Sequence, residues 1–142
     1  MENKDFIPYQ QLRVAGLHTL SFFGYALHIS IHALMAPGMD KALLDETMKT
    51  MQATSGVLMM ILWTVFTILP AIFAYVFTSK KGWQATAIIG LISVVLNGLH
   101  ACAHIAQGDL MNGIITFLLQ VPAAVIAVLW SFKLLKAFNT NK

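Results

Sequence analysis

Residues 21–32 read Ser21-Phe22-Phe23-Gly24-Tyr25-Ala26-Leu27-His28-Ile29-Ser30-Ile31-His32, and residues 93–104 read Ser93-Val94-Val95-Leu96-Asn97-Gly98-Leu99-His100-Ala101-Cys102-Ala103-His104. Both follow Ser-x-x-x-(Tyr/Asn)-x-Leu-His-x-x-x-His. Offsets of three and four residues put the polar members on one helical face, so each copy carries two imidazoles one turn apart. Four such imidazoles, His28, His32, His100 and His104, could close around one metal ion.

The sequence around the two copies is that of a membrane protein. Over 142 residues, 58% are hydrophobic and only 11% charged, and the mean hydropathy is +0.72, well outside the balance of a soluble domain. Four apolar stretches, about 12–35, 56–78, 83–107 and 111–135, are long enough to cross a bilayer as helices. The expected fold is therefore all-α, a single membrane domain in the form of a four-transmembrane-helix bundle. The duplicated motif divides it into two similar helical hairpins. The first apolar run is long and carries three histidines, unlike a cleavable signal sequence, and is expected to remain in place.

Basic residues set the expected orientation. Lys4 and Arg13, Lys80 and Lys81, and Lys133, Lys136 and Lys142 fall on one side; only Lys41 and Lys49 fall on the other. Both termini are expected in the cytoplasm, with the bundle in the cell (inner) membrane. The net charge of +3 then follows from topology and gives no support to nucleic-acid binding. Ala36, Pro37 and Gly38 should end the first helix, and the apolar spacing of Leu44, Met48 and Met51 suggests an outer amphipathic segment over about 39–54. Pro70 and Pro122 should each disturb a span. Gly90, Gly98 and Gly113 should permit close contact. Cys102, the only cysteine, excludes an intramolecular disulfide and reads as a small packing residue.

Imidazoles in a bilayer are costly unless they face the interior and find partners. Neutral imidazole ligates zinc, copper and iron, and Tyr25, Asn97, Ser21 and Ser93 on the same stripes could orient the ligands, with Asp109 or Gln107 at the mouth. Methionines near the same end would bias the metal toward copper if they ligate, but they read first as filler of apolar and amphipathic faces. Hydrogen bonding that merely glues the hairpins together would also account for the histidines, as would a noncatalytic subunit of a membrane complex. Small four-helix membrane proteins with paired histidines resemble b-type cytochromes in outline, which would imply haem b held by His28 and His100 or by His32 and His104. That pattern is incomplete, because the position matching His18 is Gly90. His18 itself reads as a buried hydrogen-bonding residue. Nucleophilic hydrolysis finds no carboxylate within a span. Four helices are few for a transport path, so a homo-oligomer or a small subunit of a larger complex is expected. Trp63, Trp83 and Trp130 read as interfacial anchors or lipid-facing residues.

Overall fold

The computed structural model describes residues 6–35, 41, 45, 48, 49 and 52–140, with the side chains of 6–8, 32, 35, 139 and 140 outside the description. The amphipathic segment expected over 39–54 lies largely outside the described residues. The chain forms α1 (Phe6–Met35), α2 (Thr54–Val76), α3 (Lys80–Ala106), α4 (Leu110–Ile115) and α5 (Val121–Thr140), with a π-helical turn at Thr116–Gln120 joining the last two. These make four helices long and apolar enough to cross a membrane, the fourth running Leu110–Phe138 through the π turn. The expected all-α four-helix bundle is what the chain adopts.

Local chemistry explains where the helices begin. Ser79 caps α3, its hydroxyl accepting from the Gly82 N–H at 3.2 Å, so the helix starts at Lys80, before the apolar run at Trp83. Asp109 caps α4 in the same way through the Asn112 N–H at 3.3 Å, after a turn that needs the positive φ of +82° at Gly108. In α2, Pro70 is buried within a continuous helix. Pro122 stands just past the π turn, after Val121; having no N–H, it can give nothing to the carbonyl of Leu118.

Packing is inside-out relative to a soluble bundle. The apolar part of the core is mostly alanine, with Ala15, Ala74, Ala87, Ala101, Ala124 and Ala127 all fully buried. Large side chains point outward: Leu34 is 79% exposed, Leu99 62% and Leu118 62%. Small residues inside let helices approach closely, and the large apolar residues outside suit a lipid surround, where they lose nothing by remaining exposed. Cys102 belongs to this exposed exterior rather than to the packing expected of it.

Each span packs chiefly against two others, α1 against α2 and α5, and α3 against α2 and α5. The two motif helices, α1 and α3, therefore stand diagonally across the bundle. Facing stripes on diagonal helices point at the bundle axis. At the end away from the histidines, Val14, Ala15, Ala74, Trp83, Ala127 and Leu134 form an apolar cluster. Trp83 is fully buried there, in contrast to the interfacial position expected. Trp130 does sit at a surface, with the Arg13 guanidinium 4.2 Å and the Lys133 ammonium 4.4 Å from its ring centroid.

Of the glycines expected at close contacts, Gly90 and Gly113 meet neighbours, whereas Gly98 faces open space. A methyl group on Gly90 would fall 2.9 Å from both Cε1 of His18 and Cγ2 of Val128. Gly90→Ala is therefore expected to cost about 1–3 kcal/mol by overpacking, while Gly98→Ala leaves stability unchanged or slightly raised. Thermal unfolding of both variants in detergent checks the contrast.

Candidate metal centre

The diagonal placement of α1 and α3 brings their histidines together on the axis. Nε2 of His28 lies 3.1 Å from Nε2 of His100, and Nε2 of His100 lies 3.2 Å from Nε2 of His104. Ligand atoms of all three rings fall within 4.8 Å of one another, an arrangement that could hold a metal ion. The rings meet edge to face, His28 against His100 at 84° and His100 against His104 at 80°. His28 and His104 are buried and His100 is partly so. The fourth member of the motif, His32, has its side chain outside the described residues.

Two of the rings are held from behind. Nδ1 of His104 lies 3.1 Å from Oδ2 of Asp109, and Asn112 Nδ2 donates to that same oxygen at 2.8 Å. Nδ1 of His28 lies 3.1 Å from the Thr116 hydroxyl. An ionised carboxylate only accepts, so a neutral His104 carries its proton on Nδ1 and turns a lone pair inward at Nε2. The His100–His104 contact then requires the His100 proton to sit on Nε2. That single hydrogen also faces His28, whose Nε2 offers either a lone pair competing for it or a second hydrogen opposing it. Three neutral imidazoles cannot fully satisfy both contacts, whereas a cation among the three nitrogens can.

The other expected residues brace the group at one remove. Asn97 accepts from Trp63 Nε1 at 3.1 Å and donates to Ser93 Oγ at 3.2 Å, and Trp63 packs on His100 with ring centroids 5.0 Å apart. The Asn97 side chain thus acts on His100 through Trp63, which belongs to the site rather than to the lipid-facing rim. Thr64 gives its proton to the Met60 carbonyl, so the 3.2 Å contact between Tyr25 and Thr64 is a donation from Tyr25. Ser21 donates to the Gln120 carbonyl at 2.9 Å, tying α1 to the π turn. Gln107 is exposed, and Asp109 is the polar residue of that turn that reaches a histidine.

Thr116 was not among the sequence candidates. A threonine in an apolar run gives no signal alone, and its register against α1 depends on the π turn, which widens the helix locally. Trp63 had no signal either, because nothing in the spacing of α2 points to α3.

Comparison with protein-family models, with curated proteins and with solved structures finds no match to this chain.

The carboxylate behind His104 can be tested apart from its capping role, since asparagine caps a helix as well as aspartate. Asp109→Asn should keep α4 and release the tautomer of His104. Histidine ¹⁵N spectra should then show its proton redistributed between Nδ1 and Nε2, with the signals of His28 little changed.

Proposed function

We propose that this chain is a multi-pass membrane protein that holds a transition-metal ion between α1 and α3, through the Nε2 atoms of His28, His100 and His104 and with His32 as a fourth ligand, for metal handling or redox. The meeting of three Nε2 atoms carries the reading. Ligands about 2.0–2.1 Å from a tetrahedral ion stand about 3.3–3.4 Å apart, so the observed spacings of 3.1 and 3.2 Å need only a few tenths of an ångström of opening. His32, one turn beyond His28 on the same stripe, is placed by the sequence to close the set.

The donor set is nitrogen, which suits zinc, copper or iron. Met48, Met59, Met60 and Met111 all lie exposed, so soft sulfur gives no preference for copper among the described residues. Asp109 behind His104 supplies the carboxylate–histidine–metal relay that raises ligand basicity and fixes the ring. Its negative charge also offsets part of the charge of a cation taken into a low-dielectric core. Haem fits less well: the edge-to-face contact of His28 and His100 leaves no slot for a macrocycle between them.

The distribution of lysines supports a placement in the cell membrane with both termini cytoplasmic and the histidine end facing outward. A chain of four spans is read as working in a homo-oligomer or as a small subunit of a membrane complex.

His100 touches both other rings, so His100→Ala should abolish the site. Wild-type protein purified in detergent and exposed to zinc, copper or iron should retain roughly one ion per chain, and the variant much less than that. Elemental analysis with an absorption spectrum on the same sample measures both and separates a bare ion from haem. Equal metal content in the two proteins would refute the assignment.

A further inference from the structure

The buried polar groups of the core fall into two kinds. Thr67, Thr86 and Ser131 return their protons to carbonyls one turn back in their own helices, and Asn97 bridges Ser93 and Trp63. Among the described residues, Gln10, His18, Trp83, Asn112 and Gln120 each keep at least one buried polar atom without such an answer. His18 is 1% and Gln120 0% exposed, yet Nε2 of His18 and both amide atoms of Gln120 make no hydrogen bond within the protein. Each such group is costly to leave unpaired, and lipid cannot repay it. Of the five residues, His18 and Gln120 call for a use together.

Both belong to one line of polar atoms. On α1, His18, Ser21, Tyr25 and His28 recur at offsets of three and four and share one face. From the opposite side, Thr116 meets His28 at 3.1 Å, and one turn later the Gln120 carbonyl receives the Ser21 hydroxyl at 2.9 Å. The line thus runs from the histidine group past Thr116, Gln120 and Ser21 to His18, a distance of about 15 Å along α1. Beyond His18 it meets the cluster of Val14, Ala15, Ala74, Trp83, Ala127 and Leu134, where the one side-chain polar atom is the unpartnered Trp83 Nε1, an indole N–H that donates but cannot accept a proton. The column is polar toward the histidine end and sealed at the other.

We propose that this column is a hydrated proton path that enters from the histidine end and terminates on His18, with the apolar cluster as its seal. A buried water needs two to four polar partners, and the Gln120 amide, the Ser21 and Thr116 hydroxyls and His18 Nε2 supply both donors and acceptors. Hydroxyl and amide groups can order such waters but do not hold a proton; an imidazole can keep one. Across residues 14–30, 57–74, 83–103 and 111–132, the facing stretches of all four spans, there is no Asp, Glu, Lys or Arg, and the titratable side chains are Tyr25, Cys102 and the histidines. Tyr25 is engaged with Thr64 and Cys102 faces outward. His18 is therefore the proton acceptor of the sealed half. In the step itself a hydronium at the inner end of the water chain transfers its proton to Nε2 of neutral His18, leaving water and an imidazolium, and return along the same chain reverses it. The path goes beyond metal binding and holds whether or not an ion occupies the three histidines.

The test is water-edited solid-state NMR on the full chain in bilayers with ¹⁵N-labelled histidine, the His18 signal being identified by its loss in His18→Phe. Magnetisation from water should reach the His18 ring about as readily as it reaches His28. Gln120→Leu, which interrupts the line without touching His18, should slow transfer to His18 several-fold and leave transfer to His28 unchanged. Ser21→Ala, a smaller perturbation, should slow it in the same direction and covers the case in which the leucine variant fails to fold. A dry His18 ring in the wild-type protein, or transfer unaffected in the folded variants, would overturn the proposal. Metal content plays no part in this readout, so its outcome is independent of the elemental analysis of His100→Ala.

Discussion

A hydrocarbon surround supplies no hydrogen bonds, and this one constraint organises the molecule. It makes helices the solution for four apolar stretches, because a helix answers nearly all its own backbone groups. It also decides which side of each helix faces in. Leucine, isoleucine and phenylalanine are at home against lipid, so they crowd the exterior, while serine, threonine, asparagine, glutamine and histidine turn toward one another. The core this produces is narrow and polar, lined with alanine where it is apolar.

Within that core the histidine group is built by geometry that neither motif copy possesses alone. A pair of imidazoles one turn apart projects from α3, and the His28 ring of diagonal α1 meets it across the axis. Asp109 and Thr116 then hold the outer nitrogens of two rings, which leaves the inner nitrogens to face each other. Nitrogens of neutral rings are poor company for one another at such distances, having too few hydrogens to share. A positive charge at the centre would relieve this, and the carboxylate on the far side of His104 would lower the cost of having one there.

The turn between α3 and the fourth span contributes more than a connection. Asp109 caps α4 and braces His104 with the same carboxyl group, so the start of a helix and the orientation of an imidazole are fixed together. The π turn that follows sets Thr116 against His28 and presents the Gln120 carbonyl to Ser21. The irregular part of the fourth span thus lies opposite the most polar part of α1.

The sequence alone determined the class of fold, the number of spans and the three histidines that meet in the core, His28, His100 and His104. Hydropathy over some twenty residues is a local property, and the Ser-x-x-x-(Tyr/Asn)-x-Leu-His-x-x-x-His pattern is legible along a single helix. It also named Asp109 as a group at the mouth. What it left open depends on rotation and register between helices far apart in the chain: that Trp63 packs on His100, that Cys102 faces out, that Trp83 is buried, and that His18 and Gln120 are enclosed without partners. Only the tertiary structure decided these, because a side chain's spacing along its own helix fixes which residues share its face, but the packing of neighbouring helices fixes what that face meets.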